Sequence, residues 1–257
     1  GLGILGLLVG VYVYDLIFPF VSELGGEQRF ITWAMIVDVR YGYAAIISGM
    51  FFLAMVFTLD KFDPSKKFDQ DQSGMPLLKR EWGWLSTGVI AGLCIFASTA
   101  LGEYLSFAGG FLALGAHVAS LLDYTMQSVP SLSESTEWRA LLVVGLFPGA
   151  LLSSYLAGTV DKETVTPLFK EAISSSMALR GGSVFSGAVL MIIGALIGGG
   201  CTTGAFMSGW PTLSVGSFAM GGVFFATAML TAHVIYFGRY HLVLGVKERF
   251  TLNLAND

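Results

Sequence analysis

The chain has 257 residues, of which 54% are hydrophobic and only 12% charged, and its mean hydropathy is +0.71. A soluble domain carries about one-quarter charged residues, so this composition excludes one and points to an all-α, polytopic membrane protein. A net charge of −4 and a pI near 5.3 supply no basic field, which sets nucleic acid aside as a partner.

About 20 apolar residues cross the hydrocarbon core, and on that rule six crossings are expected. They are Leu2–Val21, Tyr41–Leu59, Trp82–Leu101, Ala140–Val160, Gly182–Gly200 and Leu213–Phe237. The first opens at Gly1 with no Met, as expected of a sequence that lacks its natural start. Between the third and fourth crossings, Tyr104–Leu122 is apolar but rich in small residues, with Gly109, Gly110 and Gly115. A seventh crossing there would put the acidic segment 123–139 on the same face as the Lys-rich segment 60–81, so a short re-entrant or surface helix is expected instead.

The whole of 1–257 reads as a single membrane domain, with first helices in 1–59, a cytoplasmic linker at 60–81 containing Pro64 and Ser65, and a second part in 82–257. Each half holds three crossings, and the similarity between the halves is too faint to establish a duplication. Orientation follows from the basic residues. Six crossings place Lys61, Lys66, Lys67, Lys79, Arg80, Lys162, Lys170, Arg180, Arg239, Lys247 and Arg249 on one side and only Arg29, Arg40 and Arg139 on the other. The positive-inside bias therefore puts both termini and the linker in the cytoplasm.

Some ionisable residues lie near bilayer depth, where a charge is costly and often functional. Asp15 falls inside the first crossing, Glu103 at the outer end of the third. Asp15 is weighed as a functional group against a displaced span, and Glu103 reads as an interfacial charge. His117 and His233 fall near opposite faces and do not make a haem pair, Cys94 and Cys201 do not make a four-ligand metal site, and no nucleotide-cradling glycine motif is present. No cofactor, metal or catalytic residue is assigned, and the chain reads as a carrier rather than an enzyme.

Small residues recur at helical spacing in Ser183, Gly187, Gly194 and Gly198, and again in Gly216, Gly221, Gly222 and Ala226. Helix packing is the expected use for most of them. Gly198, Gly199 and Gly200 are different, because three adjacent glycines point around the helix and cannot share one packing face. They are expected to unwind it, freeing backbone amides as a partial positive concavity. Cys201 adds a polarizable thiol beside Thr202, Thr203 and Gly204. The candidate substrate-binding set is therefore Gly199, Gly200, Cys201, Thr202, Thr203 and Gly204, and a nest of amides with a thiol suits a small sulfur-bearing anion. The plain alternative is a small buried cysteine in a packed helix.

The segment Arg180-Gly181-Gly182-Ser183, Gly187, then Gly194 through Gly204 and Ser208-Gly209 resembles the last repeat of the YeeE/YedE family of bacterial membrane proteins. The resemblance is specific over Leu179–Phe225. A weaker one runs through Trp82, Gly88 and Gly92 and through Trp138, Gly145 and Gly149, and the N-terminal third matches poorly. It implies a multi-pass protein of the bacterial inner membrane that imports thiosulfate or a related sulfur compound, with the lipid bilayer and that anion as partners. Transporting members carry a cysteine motif in each half, whereas here only Cys201 falls on one. Ala205 also stands where those members commonly have His. Cys94 reads as packing. These departures keep a second expectation open, a non-transporting integral-membrane subunit that retains the fold and packs against other membrane proteins.

Overall fold

The computed structural model describes residues 1–24, 31–62, 83–158, 165–166, 169–170 and 173–236. The protein is helical, and among the described residues the only extended pairing is a single antiparallel bridge between Thr32 and Ser214. Most of the linker 60–81 lies outside the described residues.

Among the described residues, seven helices and a four-residue turn of helix set the frame. These are α1 (Leu2–Leu24), the short α2 (Trp33–Ile36), α3 (Tyr41–Phe62), α4 (Trp84–Ala100), α5 (Phe107–Ser120), α6 (Glu134–Ala157), α7 (Met177–Ile197) and α8 (Val215–Tyr236). Five of them, α1, α3, α6, α7 and α8, are long and apolar enough to cross a membrane, and α4 and α5 are shorter apolar helices. The chain is a multi-pass membrane protein. α6 starts six residues before the expected Ala140, because Ser133 caps it: its hydroxyl takes the Thr136 amide while the Thr136 hydroxyl takes the Ser133 amide. Glu134 and Glu137 then sit in the first turn, where the helix dipole favours them. Ser176 likewise starts α7 ahead of the expected Gly182 by accepting from the Leu179 amide.

The core forms where α1, α5, α6 and α7 meet, around Val11, Phe111, Met126, Val143 and Ile192. α1 and α7 run parallel, since Gly3 faces Val184, Gly6 faces Phe185 and Ala188, and Gly10 faces Val189 and Ile192. A Cβ on Gly6 would lie 2.6 Å from the Phe185 carbonyl oxygen, so the glycines of α1 are what let these two backbones approach. The expected packing stripe on α7 is corrected here. A Cβ at Gly187 or Gly194 would meet nothing within 4 Å, while Gly198 faces Met220. The glycines the sequence singled out in α4 and α6, namely Gly88, Gly92, Gly145 and Gly149, also face open space.

Asp15 is 1% exposed. It accepts from the Tyr124 hydroxyl at 2.9 Å, the Ser128 amide at 2.8 Å and the Ser128 hydroxyl at 2.6 Å. That full complement makes it a clasp between α1 and the α5–α6 connection rather than a group facing a pathway. Donating to Asp15 holds the Tyr124 phenol above its usual range.

On the other flank the segment after α7 is wedged by rings. Trp210 stacks on Phe52 of α3 with centroids 5.3 Å apart and on Phe218 of α8 at 5.0 Å, and meets Phe206 edge-on at 4.6 Å. Its indole N–H donates to the Ser217 carbonyl at 3.1 Å. The amide of Trp33 donates to the Leu213 carbonyl and that of Val215 to the Ile31 carbonyl, which ties the α2 turn to the start of α8.

Candidate functional site

Two helices break at matching places. α4 ends with the amides of Leu101, Gly102 and Glu103 donating to the carbonyls of Ala97, Thr99 and Ser98. α7 ends with the amides of Gly198, Gly199 and Gly200 donating to those of Gly194, Leu196 and Ala195. The pattern is the same residue for residue, and each break turns on a left-handed glycine, Gly102 at φ 79° and Gly199 at φ 77°. Helix restarts soon after each. Ser106 caps α5, its hydroxyl accepting from the Gly109 amide at 3.2 Å. The Cys201 carbonyl accepts from the Ala205 amide at 2.9 Å and so begins the second restart. There the helix runs through Thr202 and Thr203 into a π-helical stretch, Gly204–Gly209, a local form often found at functional sites.

The two restarts face each other. The Ser208 hydroxyl donates to the Leu105 carbonyl at 2.9 Å, and the Ala108 amide points at the Cys201 sulfur at 3.4 Å. The amides of Gly204 and Phe107 and the hydroxyl of Thr203 lie close enough to stabilise negative charge on that sulfur. Cys201 is partly buried at the edge of the core. Donors from two helix N-termini, contributed by distant parts of the chain, therefore converge on one thiol, and negative charge placed there is stabilised by both.

Depth follows from α5. Gly110 seats on the Arg139 carbonyl and Val143, Phe111 meets Phe147 with centroids 6.3 Å apart, and His117 lies beside Glu137. α5 thus runs antiparallel to α6, and its first turn lies level with about the middle of that 24-residue helix. Cys201 sits beside this turn, about halfway across a span of roughly 36 Å.

Of the expected site residues, the structure puts Gly199 and Gly200 in the break and Cys201, Thr202, Thr203 and Gly204 in the restart. α7 ends at Ile197, so the helix is discontinuous where the three glycines predict it. Cys201 and Thr203 share the donor cluster, and Gly204 contributes its amide. Sequence reasoning missed Ser106, Phe107 and Ala108. The signal for them was weak: Ser106 followed by Gly109 mirrors Cys201 followed by Gly204. Cys94 is exposed on α4, which corrects its reading as a packed residue within this chain.

A family model described as sulphur transport matches residues 3–230. The chain belongs to the sulphur transport family. As a YeeE/YedE-type member of that family it falls in the class of sulfur-compound transporters. The match begins at residue 3, so the family pattern includes α1, contrary to the expected poor fit of the N-terminal third. No curated protein and no solved structure matches the chain.

Proposed function

We propose that this protein carries a small anion with a terminal sulfur, thiosulfate being the simplest, inward across a bacterial inner membrane, and that Cys201 is its contact at mid-depth. The observation that carries the reading is the convergence of the Ala108, Phe107 and Gly204 amides and the Thr203 hydroxyl on one thiol. An anion arriving there replaces the sulfur as acceptor for some of those donors, and the thiol S–H turns toward the anion's own soft sulfur. Gly199, Gly200 and Thr202 shape the backbone around it. No bond need be made or broken, so passage is binding and release at a shallow site.

The direct test is uptake of labelled thiosulfate into cells that lack other sulfur importers, or into vesicles holding the purified protein. Saturable uptake supports the reading, and its absence with folded protein in the membrane refutes it. A second measurement uses the thiols. The chain has two cysteines, so Cys94→Ser leaves Cys201 alone, and its modification by a small neutral alkylating reagent is expected to slow when thiosulfate is added. A rate indifferent to the anion would count against Cys201 as the contact.

Orientation belongs to the same proposal. Both termini and the linker face the cytoplasm and the α5–α6 connection faces out, on the eleven-to-three split of basic residues. A cysteine placed at Ser133 should react with an impermeant reagent in intact cells and one placed at Ser73 should not. The reverse pattern inverts the protein. The exposed apolar faces of α3, α4 and α8 are what lipid covers and do not by themselves favour a non-transporting subunit.

A further inference from the structure

Arg139 lies one helical turn outward of Val143 on α6, between the outer end of the molecule and the Cys201 site. Its Cδ would stand 3.9 Å from a Cβ on Gly109, so its arm crosses the first turn of α5, next to the Ser106 cap. On the far side of that cap, a Cβ on Gly204 would come within 3.2 Å of the Ser106 hydroxyl. Arg139, Gly109, Ser106, Gly204 and Cys201 thus form a continuous line of neighbours from α6 to the thiol.

The guanidinium is incompletely used. Its Nε is shut off from solvent and has no hydrogen-bond acceptor. The nearest carboxylate oxygen, on Glu103, is 3.9 Å away, beyond hydrogen-bond reach. Glu103 is itself held by the Ser135 hydroxyl at 2.9 Å. A pair this long, with Arg139 39% exposed, contributes little and exchanges readily. Glu103 also belongs to the α4 break, where the Ser98 hydroxyl donates to its carbonyl at 2.6 Å. The carboxylate is therefore fixed in place while the guanidinium retains an unpaired donor.

We propose that Arg139 is the outer selectivity residue for the anion: its partly exposed guanidinium receives the substrate in exchange for Glu103, and hands it past Ser106 to Cys201. This rests on the transport reading above and adds to it the residue that screens for negative charge before the site. Glu103 is then a built-in competitor for the guanidinium, which keeps the anion from binding too tightly to leave.

The experiment is concentration-dependent thiosulfate uptake in wild type, Arg139→Gln, Arg139→Lys, Glu103→Gln and Cys201→Ser. Arg139→Gln is expected to raise the apparent KM about tenfold with the maximal rate little changed, as befits loss of a charged hydrogen bond made on arrival. Lys should recover part of that affinity, and Glu103→Gln should lower the KM by removing the competitor. A merely structural pair predicts otherwise, namely that both single variants lose maximal rate together. An unchanged KM in Arg139→Gln, with uptake still sensitive to Cys201→Ser, overturns the role of Arg139 and leaves the transport reading standing. If Arg139→Gln does not reach the membrane folded, Glu103→Gln decides: a lower KM supports the proposal and an unchanged or higher one overturns it. Absence of uptake in the wild type removes both.

Discussion

Replacing Cys201 with Ser is expected to cut uptake about tenfold, the rate equivalent of about 1.4 kcal/mol, while the protein still folds and inserts. Serine is nearly the same size and can still accept from the Ala108 amide that faces the sulfur at 3.4 Å. It lacks a polarizable atom to meet the terminal sulfur of the anion, and its shorter bond to Cβ withdraws the donor from the path. Alanine at the same position should do at least as much damage. Uptake at wild-type levels in Cys201→Ser would show that the amides alone carry the anion and that the thiol is a bystander.

The second large effect concerns assembly. Gly10→Val should sharply lower the amount of folded protein, because the new side chain would overlap Ile192 and its Cβ would stand 2.9 Å from the Val189 carbonyl oxygen. Overpacking at a seam of this kind costs about 1–3 kcal/mol where neighbours yield, and more where the obstacle is backbone. Gly194→Ala is the matched control, since a Cβ there meets nothing within 4 Å. Resistance of the two variants to graded detergent denaturation, compared with wild type, is the measurement. Equal resistance would mean that α1 and α7 are not held by this contact.

That pair of variants also marks what the sequence could and could not say. Hydropathy located the long helices to within a few residues, because burying twenty apolar residues in lipid is a property of the segment itself. It misplaced the start of α6, since the Ser133 and Thr136 cap is polar and lies outside any hydropathy window. The break at Gly198–Gly200 was legible because no helix-packing role suits three successive glycines. The packing glycines were legible only in part: Gly221 faces Phe206 and Trp210 as its spacing predicts, but spacing shows that a helix can be approached closely and not which helix approaches. Gly187 and Gly194 look as suitable as Gly6 and Gly10, and only the tertiary arrangement chooses between them. Ser106 was hidden for a related reason: a serine three residues before a glycine is common, and its meaning comes from Cys201, far along the chain.

The Asp15 clasp has a consequence for biogenesis. The carboxylate enters the membrane with α1, yet its partner Ser128 lies 113 residues later in the chain. At about 5–20 residues per second of synthesis, that partner follows on the order of ten seconds afterwards. A bare carboxylate is expensive in hydrocarbon, so through that interval the nascent α1 has to be kept near water or at a protein surface rather than released into lipid. Closure of the α5–α6 connection over Asp15 is then the event that lets α1 settle into lipid, and it cannot precede synthesis of that connection.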